Sequence, residues 1–178
     1  MDEVAGAHGG FSGLQLGRSH RRWYLCPSKK GGSAVGNTKK GKGTKIMLMV
    51  DGVGTPLAVT IASANQSEVR LIKPLIEQRQ LPRKPKRLMY DRAADCDPLR
   101  TRLATEQIEL ICHHRKSRKR PVTQDGRKAR CLAPRYVVER SISWLQTNRR
   151  ITVRYEYYDH LFLGFVQLAC MFTVIKWF

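Results

Sequence analysis

Residues 45–62, KIMLMVDGVGTPLAVTIA, decide how the sheet of this protein is built. Two apolar runs, Lys45–Val50 and Leu57–Ala62, flank the turn-forming stretch Asp51–Pro56. Short apolar runs on either side of an Asp-Gly turn predict two antiparallel strands joined as a hairpin. In this interpretation Asp51 is a turn residue, and its carboxylate has a structural use rather than a chemical one.

The residues after the hairpin alternate between helical and strand patterns. Apolar residues at spacings of three and four predict an amphipathic helix over residues 67–78, with Ser67 as its N-cap. The later predicted elements are strand Arg87–Tyr90, helix Pro98–Glu106, strand Ile108–Cys112, helix Arg135–Arg149 and a C-terminal helix that includes Leu161–Ile175. Strand–helix–strand units favour parallel pairing. The order predicts an α/β, ribonuclease-H-like mixed sheet: an antiparallel hairpin plus parallel strands, flanked by helices.

The composition is strongly basic. Lys and Arg number 33 against 14 Asp and Glu, so the formal charge of the 178-residue chain is +19. A charge of this size repels itself unless a polyanion neutralises it, which points to a nucleic acid as partner. A basic RNA-binding protein without chemistry stays open as an alternative at this stage.

The cysteines and the apolar C-terminal stretch limit the context of the protein. The five cysteines are scattered, form no CxxC pair and follow no secretory signal, so a reducing cytoplasm is the expected compartment. Their spacing matches no standard zinc site. The stretch Leu161–Ile175 is shorter than the ~20 residues of a bilayer span. We therefore expect a buried helix there, and no membrane partner.

Two carboxylates stand in suggestive places. Asp91 ends the predicted strand Arg87–Tyr90, and Glu139 lies on the predicted helix Arg135–Arg149. Chemistry at a phosphodiester uses hard divalent cations held by converging carboxylates. The alternatives are that Asp91 caps a loop beside Asp95 and Asp97, and that Glu139 forms an ion pair with the Arg135 side chain one helical turn away.

Clusters of basic residues could follow the phosphate backbone of DNA. They do not form a nucleotide-binding P-loop, because the required Gly-Lys-Ser/Thr order is absent. The candidate DNA-binding residues are Lys39, Lys40, Lys42, Lys45, Arg115, Lys116, Arg118, Arg140, Arg149 and Arg150.

The stretch Lys29–Lys45, KKGGSAVGNTKKGKGTK, resembles a segment of bacterial insertion-sequence transposases of the DDE type, in the insertion sequence four and five group. The similarity spans residues 28–178. It continues at Leu57, Ile61–Asn65, Asp91, Asp97–Arg100, His114–Arg115, Gln124–Arg127, Glu139–Arg140, Trp144–Gln146, Arg149–Arg150, Arg154–Glu156 and Phe162–Phe165.

The resemblance implies a function as well as a fold. It implies a catalytic domain over residues 28–178 that cleaves and transfers DNA strands at transposon ends with Mg²⁺ or Mn²⁺. It implies double-stranded DNA partners, namely terminal inverted repeats and target DNA, and a homo-oligomer acting at the bacterial nucleoid. Asp91 and Glu139 match the second Asp and the Glu of the family's catalytic, metal-binding triad.

The chain departs from the family pattern at the first Asp. That position falls near Arg22, and no acidic residue lies between Glu3 and Asp51. Residues 1–27 do not resemble the family, and we expect them to form a disordered arm, within which Arg22–Cys26 could form one short strand. Loss of one ligand predicts a transposase with impaired strand cleavage, or a catalytically dead DNA-binding remnant.

Overall fold

The computed structural model describes residues 19–79, 84–124 and 136–177, except for the side chains of residues 19–22. Within these ranges the strands are β1 Ser19–Pro27, β2 Gly36–Thr38, β3 Gly41–Val50, β4 Pro56–Ser63, β5 Arg87–Tyr90 and β6 Glu109–Cys112. The helices are α1 Glu68–Glu77, α2 Asp97–Thr105, α3 Tyr136–Gln146, α4 Arg149–Thr152 and α5 Asp159–Trp177, with a 3₁₀ turn at Arg92–Ala94.

The strands form one mixed sheet. Its order is β2-β3-β1-β5-β6. Strand β4 also pairs with β3, along Thr44–Val50, whereas β2 pairs with Gly41–Gly43 at the start of the same strand. Strand β1 is antiparallel to β3 and parallel to β5, and β5 is parallel to β6. The predicted hairpin is confirmed as β3 and β4, and the parallel pairing of the later strands is also confirmed.

Strand β1 corrects the expected start of the domain. All but its first residue pair with β3, from His20 opposite Val50 to Pro27 opposite Gly43. The disordered arm expected over residues 1–27 is therefore wrong for residues 19–27, and the domain includes them; residues 1–18 lie outside the described part. The short strand expected at Arg22–Cys26 is confirmed as part of β1, but the basic run before Trp23 concealed its first residues and its place in the middle of the sheet.

The two faces of the sheet bury separate apolar clusters. Met47, Leu88 and Tyr90 pack beneath α1 and α2. Ile46 and Leu48, one residue out of phase, pack beneath α3 and α5. The alternation follows from the two-residue period of a strand, and complete burial of each large apolar side chain contributes about 1.5–3 kcal/mol. Packing of the helices against both faces therefore stabilises the register of the strands.

Helix α5 is buried on one side only. Phe162, Val166, Ala169 and Thr173 face the core, whereas Ile175 and other large apolar residues of the helix are exposed. The expected burial is thus confirmed for one face and wrong for the other. By length and composition alone α5 could cross a bilayer, which is weak evidence for a membrane span.

Candidate active site

Asp91 lies where β5 ends, at the carboxyl edge of the sheet. Its backbone is extended, with φ −81° and ψ −176°, and its carboxylate accepts a hydrogen bond from the Ala93 amide at 2.8 Å. Asp91 therefore caps the 3₁₀ turn that follows, as the alternative interpretation expected. One carboxylate oxygen makes this bond, so the cap does not use the full capacity of the group.

The residue before Asp91 is anchored by a buried polar group. The Tyr90 hydroxyl donates to Glu68 Oε2 at 2.7 Å, and Glu68 Oε1 lies 3.9 Å from Lys45 Nζ. Burial raises the pKa of the Glu68 carboxyl, the Tyr90 hydrogen bond opposes the shift, and the charge of Asp91 adds to it. Asp91 is thus within electrostatic range of a second carboxylate, at the start of α1.

The strand next to Asp91 presents an arginine at the same level. Ser19 and His20 of β1 pair in parallel with Leu88 and Met89 of β5. Continued by two residues, this register brings Arg22 level with Asp91. The pairing of β1 with β5 ends at His20 opposite Met89, and in the continued register the position level with Asp91 belongs to Arg22 and not to an acidic residue.

Glu139 is exposed in the first turn of α3. The opposite flank of this helix faces the β3–β4 loop, because Arg140 Nη2 donates to the Val53 carbonyl at 2.5 Å. On that same flank the Trp144 ring stacks on Trp177 of α5, with centroids 4.8 Å apart, and α5 packs on β4. Successive helical residues are rotated by about 100°. Glu139 therefore lies on the flank of α3 towards β5, the strand that carries Asp91.

Asp51 takes no part in this arrangement. It follows β3, and the pairing of β3 with β1 and of β1 with β5 puts it about level with Leu88, on a strand two places away from β5. Its buried carboxylate accepts hydrogen bonds from the amides of Val53, Gly54 and Thr55 at 2.8–2.9 Å. These contacts bear out its interpretation as a turn residue.

The described carboxylates do not fit a three-ligand metal centre. Over residues 19–79, 84–124 and 136–177, no group of three or more His, Cys, Asp or Glu side chains is arranged to hold a metal ion. Asp91 and Glu139 are the residues that would hold one, and the backbone position beside Asp91 carries Arg22. The arrangement supplies at most part of the ligand set that two-metal phosphodiester chemistry needs.

A network that sequence reasoning missed surrounds Asp95. Its carboxylate accepts hydrogen bonds from the Arg115 amide at 2.9 Å, from Arg118 at 3.2 Å and from Arg100 at 3.3 Å, and it lies 2.9 Å from His114 Nδ1. Burial alone would raise the pKa of Asp95, but the hydrogen bonds from Arg115 and His114 and the positive charge nearby lower it below its usual value.

The neighbouring Asp97 is also committed to arginines. Cys96, not Asp97, is the N-cap of α2, and the Asp97 carboxylate instead binds Arg118 at 3.0 Å and Arg120 at 3.3 Å. The hydrogen bond from Arg118 is the main reason that the pKa of Asp97 is lowered. The basic run Arg115–Arg120 was the one signal in the sequence for these ion pairs, but the sequence did not indicate which carboxylates the run contacts.

Three lysines of the predicted DNA surface are exposed on the β2–β3 hairpin: Lys39, Lys40 and Lys42. The turn is closed by Thr38, whose hydroxyl donates to the Gly41 carbonyl, and Gly41 has a φ of +106° that favours glycine. The tip lies beyond the carboxyl end of β1, where Pro27 pairs with Gly43, and so it is further along the strand direction than Asp91.

Lys45 and Arg118 are corrections to the predicted DNA surface. Lys45 is 5% exposed, and its ammonium donates to the Gln66 carbonyl at 2.8 Å, pairs with Glu68 and lies over the Trp23 ring. The Arg118 side chain is 10% exposed and bonded to Asp95 and Asp97. Both charges serve contacts within the fold, so neither is available to a phosphate.

The other candidate DNA-binding residues differ in how many contacts their side chains make within the protein. Arg140 lies over the Trp144 ring at 4.8 Å in addition to its bond to Val53. Arg150 pairs with Glu156 at 3.0 Å but remains 60% exposed. The other three, Arg115, Lys116 and Arg149, are exposed.

The sequence model of the transposase DDE domain family matches residues 19–174. A curated relative, the putative transposase for insertion sequence element IS402 of Burkholderia cepacia, is 29% identical over 162 residues, which cover 84% of this chain and 73% of the relative. This relative and the family model agree on the class of protein.

Two solved structures share the fold. The piggyBac transposase in a synaptic complex with hairpin DNA matches with a TM-score of 0.60 and 12% identity, over 89% of this chain and 46% of that one. The simian T-cell lymphotropic virus intasome in complex with the PP2A regulatory subunit B56γ matches with a TM-score of 0.52 and 12% identity, over 88% and 48%. The chain thus spans about half the length of these two proteins. The fold is the ribonuclease-H-like fold of transposases and integrases, and the chain belongs to the transposase DDE domain family.

Proposed function

We propose that this chain is a transposase domain that binds double-stranded DNA at transposon ends, and that its strand-cleavage and transfer chemistry is impaired. The observation that supports the proposal is the pairing of Ser19 and His20 of β1 with Leu88 and Met89 of β5, a register that puts Arg22 level with Asp91 when it is continued by two residues. At the position where the family pattern has its first catalytic Asp, this chain has Arg22, whose side chain is positively charged. Its expected place of action is the bacterial cytoplasm, at the nucleoid.

The charge distribution supports the DNA-binding part. The chain has a formal charge of +19, and the lysines of its β2–β3 hairpin are exposed. Lysines that neutralise phosphates release counterions, which makes affinity fall steeply with salt. The solved structures with the same fold are a synaptic complex with hairpin DNA and an intasome, which favours DNA over RNA as the partner; a homo-oligomer acting at the ends is part of the proposal.

The carboxylates support the impaired chemistry. Mg²⁺ or Mn²⁺ would supply charge stabilisation at the reacting phosphate when bound. Asp91 is partly engaged in its cap, Glu139 lies on the neighbouring helix flank, and the described residues offer no group of three ligands. Misplacing reacting groups by about 1 Å can cost about 10²-fold in rate, so an incomplete ligand set would be expected to slow the reaction.

The test uses the purified chain and a duplex that carries the element's inverted repeat. We expect binding that weakens with salt, and nicking in Mn²⁺ that stays at the level of an Asp91→Asn variant. Robust Mn²⁺-dependent nicking that is lost in Asp91→Asn would overturn the claim of impairment. Absence of salt-sensitive DNA binding would overturn the claim of a DNA partner.

The catalytically dead remnant is the limiting case of this proposal. Calorimetric titration with Mn²⁺ separates the two forms. Residual binding that disappears in Asp91→Asn and in Glu139→Gln indicates an impaired enzyme. No binding in the parent chain indicates a remnant that occupies ends without chemistry.

A further inference from the structure

Asp95 is the most enclosed carboxylate near the Asp91 edge, with a side chain that is 2% exposed. Its oxygen Oδ1 is approached by His114, Arg118 and Arg100, and Oδ2 accepts the backbone amide of Arg115. Arg100 belongs to α2, but the other three belong to the segment after β6. One carboxylate therefore ties the segment that follows β5 to the segment that follows β6.

A second set of contacts reinforces the connection. The Arg115 guanidinium donates to the carbonyls of Arg92 at 3.3 Å and Ala93 at 3.0 Å, within the turn that Asp91 caps. Arg118 bonds to Asp97, and it also donates to the Pro121 carbonyl at 3.0–3.1 Å. The segment after β6 is thus bound along the turn that begins at Asp91.

These contacts divide the basic residues of the segment into two groups. Arg115 and Arg118 have guanidinium groups directed at acceptors within the protein. Lys116, Lys119 and Arg120 are exposed, and the Arg120 side chain keeps 75% of its surface accessible although it reaches Asp97. The inward arginines hold the segment in place while the outward lysines face solvent.

We propose that Asp95 is a positioning residue that holds Lys116 and Lys119 at a set place relative to Asp91, so that a DNA backbone bound by these lysines runs past the carboxyl end of β5. The inference rests on the proposed DNA-binding function. It assigns Asp95 a role in where DNA is held, through His114, Arg115 and Arg118, and not in contact with DNA.

The experiment is lysine acetylation footprinting by mass spectrometry, on the full chain with and without a short blunt-ended DNA duplex at low salt. In the parent chain we expect DNA to protect Lys116 and Lys119, as well as the hairpin lysines. In Asp95→Asn, whose amide accepts fewer bonds and carries no charge, protection of Lys116 and Lys119 falls on the order of tenfold. Protection of Lys39, Lys40 and Lys42 remains.

Two variants control for the fold. Asp97→Asn removes the negative charge that pairs with Arg118 and Arg120 but leaves the contacts of Asp95 to His114 and Arg115, so its effect is smaller. Arg115→Gln loosens the segment from Arg92 and Ala93 without leaving a buried charge unpaired, so it keeps the test possible if Asp95→Asn does not fold. It shifts protection at the same two lysines in the same direction.

Each result decides between the positioning role and a structural one. Equal protection of Lys116 and Lys119 in parent, Asp95→Asn and Arg115→Gln chains overturns the inference. A parallel loss at the hairpin lysines also overturns it, because a general loss of structure affects all sites. Protection of the hairpin lysines alone in the parent chain rejects the positioning role and keeps DNA binding, whereas no protection at any lysine rejects both.

Discussion

Replacing Arg22 by Asp tests whether the missing carboxylate explains the expected lack of activity. Arg22 lies in β1, level with Asp91 when the parallel pairing of Ser19 with Leu88 is continued. A strand spacing of about 4.8 Å allows two carboxylates to share a cation that has Mg–O distances of about 2.0–2.1 Å. Arg22→Asp therefore recreates, at one backbone position, the pair that the family pattern contains.

The expected magnitude has two parts. Without metal, two carboxylates about 5 Å apart repel each other by about 3 kcal/mol at an effective dielectric constant of about 20, so the variant is less stable than the parent. With Mn²⁺ at a hundred times its dissociation constant, binding to the folded state returns about 2.7 kcal/mol. For a chain of this length about 1 kcal/mol corresponds to 2–4 °C, which gives a Mn²⁺-dependent rise in Tm of about 5–10 °C.

The assay is thermal unfolding in EDTA and across a Mn²⁺ titration, followed by nicking of inverted-repeat DNA. Arg22→Asn is the matched control, because it removes the arginine and differs from Arg22→Asp only in the carboxylate. We expect a Mn²⁺ response and nicking in Arg22→Asp alone, both abolished when Asp91→Asn is added. A folded Arg22→Asp chain with no response to Mn²⁺, or a parent chain that responds equally, would refute the reasoning.

Three further predictions concern stability and DNA binding. Because the pKa of Asp95 is lower in the folded chain, its contribution to stability is complete above the unfolded pKa of about 3.9 and is lost as the pH falls through the folded pKa. Between pH 7 and pH 3, the free energy of unfolding in urea should therefore decrease less in Asp95→Asn than in the parent chain. The triple variant K39Q/K40Q/K42Q should reduce the slope of log K against log salt by about 2.7, if each lysine contacts one phosphate. Phe162→Ala should destabilise the chain by about 3–5 kcal/mol in urea unfolding, because Phe162 is fully buried on the core face of α5.

Controls make these outcomes specific. Lys176→Gln changes an exposed lysine at the far end of α5 and should leave the salt slope unaffected if binding uses the β2–β3 hairpin. Ile175→Ala, at a side chain that is 76% exposed, should cost far less stability than Phe162→Ala. An unchanged slope in the triple variant, or equal costs for the two helix variants, would contradict the assignments.

Much of the fold was predictable because local patterns act over a few residues. The apolar runs on both sides of Asp51 gave the hairpin, and the strand Arg87–Tyr90 was predicted with its observed bounds. Strand β1 was harder, since His20, Arg21 and Arg22 interrupt the apolar signal. Only pairing with β3 on one side and β5 on the other identifies it as a central strand.

The basic residues show why a charge cannot be assigned from sequence alone. Lys45 and Lys42 lie three residues apart in one strand, yet Lys42 is exposed and Lys45 is buried against Glu68. Arg118 and Lys116 differ in the same way: Arg118 forms ion pairs with Asp95 and Asp97, whereas Lys116 is exposed. A charge is satisfied internally only when a distant part of the chain brings an acceptor to it.

By itself, the sequence determined the class of fold, the alternation of strands and helices, the basic character of the chain and the absence of an acidic residue between Glu3 and Asp51. These properties depend on composition and on neighbours along the chain. The tertiary structure decided that β1 pairs with both β3 and β5, that Glu139 is on the helix flank towards β5 and that Asp95 joins two loops. Such relations depend on strand register and helix packing, which are set by burial of residues far apart in sequence.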